Sequence, residues 1–261
     1  MFYSNIKTNM IIKKLVISSF ILLYYKIGYS QQFITDNYIT MPHGTGTFIL
    51  TNGERNANMY SVFSLLPGFE LTFQTTLFWK KPEISSTNYF TTNLFGKYMF
   101  WVNNSNTGGA AVFLGIGKSP SYFSDQAYAP MHKNYWTALP VTIPIFNNML
   151  SWDIMPGAMV DFEKNSKDGA WGFTYSTRLA IYKIVPQTAI VGEIYGTEEK
   201  LYSRPEYKVG LRWEPIDWIV LAATYGGATD GSKASGFEIG IMIFTPQFLT
   251  KDFMKNNSIH Y

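Results

Sequence analysis

The sequence predicts an all-β protein, a transmembrane up-and-down antiparallel β-barrel of about 12 strands. Three observations carry that expectation. Apolar and polar residues alternate with period two through most of the chain. The connections alternate between tight turns and longer polar loops. The chain opens on a basic and then apolar leader. Composition agrees: 46% of the 261 residues are hydrophobic, 17% are aromatic and 15% are charged. Soluble domains usually carry about 25% charged residues.

The leader comes first. Lys13 and Lys14 precede the apolar run Leu15–Tyr25, Lys26 closes it, and Gly28-Tyr29-Ser30 offers small residues at the −3 and −1 positions of a cleavage site. A run of 11 residues is too short for a helix to span a bilayer, which needs about 20. Residues 1–30 are therefore expected to be a secretory signal peptide, and the absence of Cys excludes a lipoprotein signal. It also excludes disulfides, thiolate metal sites and Cys nucleophiles. The leader holds four of the 21 Lys+Arg and no acid, so the rest has 17 basic against 18 acidic residues and no charge-based case for nucleic acid.

Residues 31–44 are expected as an N-terminal periplasmic segment, 45–244 as the barrel and 245–261 as a C-terminal tail. Strands are expected near 45–51, 57–66, 69–79, 89–102, 107–117, 134–145, 149–162, 170–184, 187–196, 205–213, 218–226 and 235–244. In 69–79, Phe69, Leu71, Phe73 and Leu77 share one face and Glu70, Thr72, Gln74 and Thr76 the other. Residues 171–182, 207–214 and 236–244 alternate in the same way. Pro67-Gly68, Asn103–Asn106, Phe146–Asn148, Val185-Pro186 and Glu214–Asp217 form the tight set of connections, rich in turn formers. Asn52–Asn56 and Lys118–Lys133 fall in the longer set. An even strand number places both termini at the short-turn end, periplasmic in an outer-membrane barrel of a Gram-negative bacterium. A soluble sandwich would bury its apolar faces and expose the polar ones. The aromatics near strand ends, Phe69, Phe78, Trp101, Trp136, Trp171, Trp213 and Trp218 among them, suit interfacial girdles instead.

The leader followed by Gln31-Gln32 resembles those of Bacteroidota. The stretch Thr91–Phe100 and the entry Ile39–Thr45 are similar to the phenol-degradation MetA-like or YjbH-like barrels. That resemblance implies an outer-membrane barrel of transport type. Such barrels often finish on an aromatic; here the last strand ends at Phe244 and Thr245–Tyr261 run on.

Enzyme chemistry finds no support. His43, His132 and His260 form no ligand pair, and no nucleophile elbow is present. No cofactor is expected. By alternation the inner face holds Glu70, Lys97, Asp153, Asp161, Arg178, Glu193, Lys208, Arg212 and Glu238, since a basic residue facing lipid at mid-depth would cost about 2–4 kcal/mol and an acid somewhat less. These side chains form either an ion-pair network filling the lumen or a solute path. Pro140, Pro144 and Pro156 suggest a bulge or bend in the wall, and a lateral gap there is one consequence to test. The leading expectation is a passive channel for small solutes, apolar ones included, in contact with outer-membrane lipid. The alternative is a non-conducting barrel that anchors an export assembly through the aromatic loop Lys118–Lys133 or the tail.

Overall fold

The structure, a computed structural model, describes residues 33–79, 89–120, 131–146, 148–162, 169–199, 202–203, 205–231 and 234–249. The leader, Tyr122, Phe123 and Tyr128 of the long loop, and the tail from residue 250 with His260 lie outside the described residues.

Fourteen strand segments follow one another: β1 (Gly46–Gly53), β2 (Asn56–Leu66), β3 (Phe69–Phe78), β4 (Tyr89–Val102), β5 (Gly109–Pro120), β6 (Met131–Ala138), β7 (Val141–Ile145), β8 (Leu150–Phe162), β9 (Gly169–Tyr182), β10 (Thr188–Glu199), β11 (Tyr202–Ser203), β12 (Glu206–Ile216), β13 (Ile219–Ala228) and β14 (Gly236–Phe244). β6 and β7 are halves of one wall strand and β11 leads into β12, so the wall is an antiparallel barrel of 12 strands. β14 pairs back onto β1, with Thr47 opposite Phe244 and Gly53 opposite Glu238. Closure leaves no strand edge with unpaired backbone groups, which a membrane requires.

The tight turns gather at one end. They take the left-handed backbone at Gly68, Asn106, Phe146, Asn148, Lys183 and Gln187. The connection between β1 and β2, expected among the longer ones, is only Glu54-Arg55. The wall is apolar outside and polar inside. Phe48, Leu50, Leu114, Ile116, Leu211 and Ile239 are exposed, whereas Glu70, Lys97, Arg178 and Glu193 are buried. Of the aromatics expected in girdles, Trp101, Trp171, Trp213, Trp218 and Tyr225 are exposed. Phe78 and Trp136 instead face the lumen, because each falls on the polar phase of its strand.

The three prolines leave the wall hydrogen-bonded and in register, without the expected bulge. Pro144 sits opposite Ser151 and Pro156 opposite Tyr175 within their ladders. At Pro140 the strand is interrupted, yet Ala111 N donates to Pro140 O at 3.0 Å and Leu139 N to Pro156 O at 2.9 Å. The lateral gap is thus not formed at these positions.

Candidate functional site: a plugged lumen and its vestibule

The lumen is filled at the short-turn end by the chain itself. Residues 33–44, the described part of the segment expected as a periplasmic lead-in, fold into the barrel and bury Phe33, Thr35, Asp36, Asn37, Tyr38, Thr40 and Met41. The segment turns at Gly44, whose φ of 76° suits glycine. Gly44 N donates to Ser64 O at 2.7 Å, and Phe248 N donates to Gly44 O at 2.7 Å. Thr245 N reaches Gly46 O at 2.9 Å, and Gln247 Nε2 reaches His43 O at 3.2 Å. The described start of the tail therefore clasps the root of the segment.

Eight of the nine expected inner-face charges are buried within the barrel, and four of them, Glu70, Lys97, Arg178 and Glu193, bond this segment directly. Lys97 Nζ lies 3.1 Å from Asp36 Oδ2 and 3.5 Å from Glu70 Oε2. Glu70 accepts from Met41 N. Arg178 binds Asp153 Oδ2 through Nε at 3.0 Å and Nη2 at 2.7 Å, and its Nη1 donates to Thr35 O at 2.8 Å. Glu193 accepts from the backbone N–H of Ile34 at 3.0 Å and Thr35 at 2.9 Å. Thr142 Oγ1 accepts from Tyr38 N at 3.2 Å and donates to Asp153 at 2.6 Å. A segment without secondary structure carries unpaired backbone groups, and each would cost about 1–3 kcal/mol if buried unsatisfied. The inner-face charges satisfy them, and the segment in turn supplies Asp36 as a counter-charge for Lys97.

Apolar contacts finish the seal. Phe33 packs on Ala180, Ala189 and Val191. The Tyr38 ring lies over Gly109, where any side chain would collide with it, and its OH donates to Asn106 O at 3.0 Å. Burial pushes the Tyr38 phenol up to about 12, so it stays a donor at neutral pH.

The remaining charges lie apart from the segment. Lys208 Nζ pairs with Glu238 Oε2 at 2.7 Å. Arg212 Nη2 pairs with Glu214 Oε1 at 3.1 Å, while Nε and Nη1 have no hydrogen-bond partner. Asp161 faces inward near the long-loop end, with Oδ1 buried and unpartnered.

Above the segment opens a vestibule of about 450 Å³ whose floor includes Phe33, Ile34 and Asp36. Its two walls differ. On β4–β6, Phe95, Phe113 and Trp136 form an aromatic cluster with ring centroids 5.1–5.9 Å apart, backed by Met155. Gly115 makes room for the Trp136 indole. On β2–β4 lies a neutral hydrogen-bonded ladder. Asn93 donates to Gln74 at 3.5 Å, Gln74 to Tyr60 OH at 3.2 Å, and Thr76 to Asn58 at 2.6 Å. Alternation places Gln74 and Thr76 on the face of Glu70, but only the charged residues of that face were expected to matter, and Trp136 was expected at the lipid interface. The signal was available, since the amide and hydroxyl residues share the phase of Glu70 and Lys97.

His43 has a buried Nε2 without a partner, and among the described residues no group of three His, Asp or Glu side chains is placed to hold a metal ion.

No family model matches the chain, and no curated protein matches it. Solved structures do. The KdgM porin matches with a TM-score of 0.55 at 10% identity, over 76% of this chain and 98% of the porin. The KdgM porin in complex with disordered oligogalacturonate gives 0.54 at 11%, over 76% and 98%. The COG4313 outer membrane channel from Pseudomonas putida F1 gives 0.51 at 10%, over 80% and 97%. The likeness is one of fold. It groups this barrel in shape with outer-membrane porins and channels.

Proposed function

We propose that the protein is an outer-membrane barrel that passes small solutes passively through its lumen, apolar ones included, with the segment 33–44 as its closure. One observation carries this reading: a vestibule open toward the long loops ends on a floor made from the chain's own segment rather than from the wall. In this reading residues 1–30 are the export signal, the short-turn end and both termini are periplasmic, and the apolar outer face contacts lipid. No residue acts as a catalyst. Glu70, Lys97, Asp153, Arg178 and Glu193 hold the closure, and Lys208, Arg212, Glu238 and Asp161 line or support the path. A polyanion such as the oligogalacturonate of the KdgM complex is a poor fit, because Lys97, Arg178 and Lys208 already carry carboxylate partners.

The test is single-channel conductance of refolded residues 31–261 beside a variant lacking residues 33–41. The full chain should give small or rare openings and the deletion steady, larger ones. A deletion variant that is folded and heat-modifiable on a gel yet electrically silent would overturn the channel reading. The filled lumen would then favour the non-conducting barrel, anchoring an export-machinery partner through its long loop or tail.

A further inference from the structure

The vestibule points to a chemical class of solute. We infer that it binds an uncharged saccharide, with one ring face on the aromatic wall and its hydroxyls on the amide wall; this rests on the channel reading above and names the solute for the same lumen.

The volume of about 450 Å³ lies within the range of small-molecule sites. A fully apolar solute would suit Phe95, Phe113 and Trp136 but would strip water from Asn58, Gln74 and Asn93 and give nothing back. A charged solute would need a net counter-charge; Lys208 and Glu238 at the vestibule neutralise each other at 2.7 Å, and Arg55 and Glu206, also in its lining, are of opposite sign. Asn93 Oδ1, Ser176 Oγ and Ser235 Oγ border the cavity and are buried without a hydrogen-bond partner. The amide and hydroxyl side chains of the lining suit a solute's hydroxyl groups, which both donate and accept. A pyranose ring combines a C–H face with a hydroxyl rim, which is the division the two walls present. Asn93 stands two residues from Phe95 on β4, so the polar and aromatic contacts fall on adjacent inward positions.

The experiment is titration calorimetry of refolded residues 31–261 in a detergent without a sugar headgroup, with maltose, digalacturonate and cyclohexanol as probes. Maltose should bind saturably and digalacturonate at least about tenfold more weakly. Trp136→Leu should weaken maltose about tenfold, equivalent to about 1.4 kcal/mol. Asn93→Leu serves as a second variant in case Trp136→Leu misfolds. Cyclohexanol binding without maltose binding, equal affinity for digalacturonate, or no binding by any probe would each overturn the saccharide assignment. None of these outcomes touches the conductance result: a pore that conducts but ignores maltose refutes the solute class alone, and maltose binding by a silent barrel refutes the channel alone.

Discussion

Along the lumen the inward residues change character between its two halves. Toward the short turns they are Glu70, Lys97, Asp153, Arg178 and Glu193, all nearly inaccessible to water. Toward the long loops they are Asn58, Gln74, Thr76, Asn93 and the rings of Phe95, Phe113 and Trp136. The half whose charges hold the segment is closed, and the half lined mainly by amides and aromatics, with the Lys208–Glu238 pair among them, is open. Glu70, Lys97, Arg178 and Glu193 lie where an irregular stretch of backbone must be held, and a carboxylate, an ammonium or a guanidinium gives the stronger, charge-assisted bonds for that task. Where nothing needs holding, neutral amides and aromatics leave a cavity.

Substitutions can break that contrast. Arg178→Ala should have the largest effect. It leaves the Asp153 carboxylate buried and Thr35 O without its donor, and loss of one partner from a buried pair costs about 3–5 kcal/mol. A urea midpoint in lipid should fall accordingly, and conductance should rise. Gly109→Val should come next. The new side chain occupies the space of the Tyr38 ring, and such overpacking costs about 1–3 kcal/mol. The collision is with the Tyr38 ring and with the Trp101 carbonyl of β4, so more frequent openings are expected together with a lower heat-modification temperature. Gly115→Ala should be the smallest, about 1 kcal/mol at the low end of the same range. It pushes the Trp136 indole away from β5, so maltose affinity should fall while the closed conductance stays as it was. Openings caused by Gly115→Ala would blur the separation of the two halves.

Much of the wall could be read in the sequence, because period-two alternation is local and a barrel repeats it in every strand. Strands such as 89–102 and 149–162 were expected within a residue of where β4 and β8 lie. The inward direction of Glu70, Lys97, Arg178 and Glu238 follows from the same alternation. What they touch does not. Asp36 meets Lys97 across 61 positions of sequence, and Thr35 meets Arg178 across 143. The segment 33–44 has no period of its own, so it resembles a lead-in to the first strand. Its place in the lumen is set by long-range hydrogen bonds that no local pattern encodes. Trp136 was misassigned for a related reason: near a strand end, an aromatic at a lipid girdle and an aromatic at the mouth of a lumen differ only by phase, and the break at Pro140 hides the phase.

The central claim is that the barrel is closed from inside by its own residues 33–44, and single-cysteine labelling tests it most directly in a chain that has no Cys. Thr35 is 0% exposed, whereas its neighbour Ile34 is 46% exposed. In proteoliposomes, Thr35→Cys should resist a small maleimide until the protein is unfolded, while Ile34→Cys should react with reagent that enters through the vestibule. Equal and rapid labelling of both positions in the folded protein would mean that the segment lies outside the lumen, and would contradict the account.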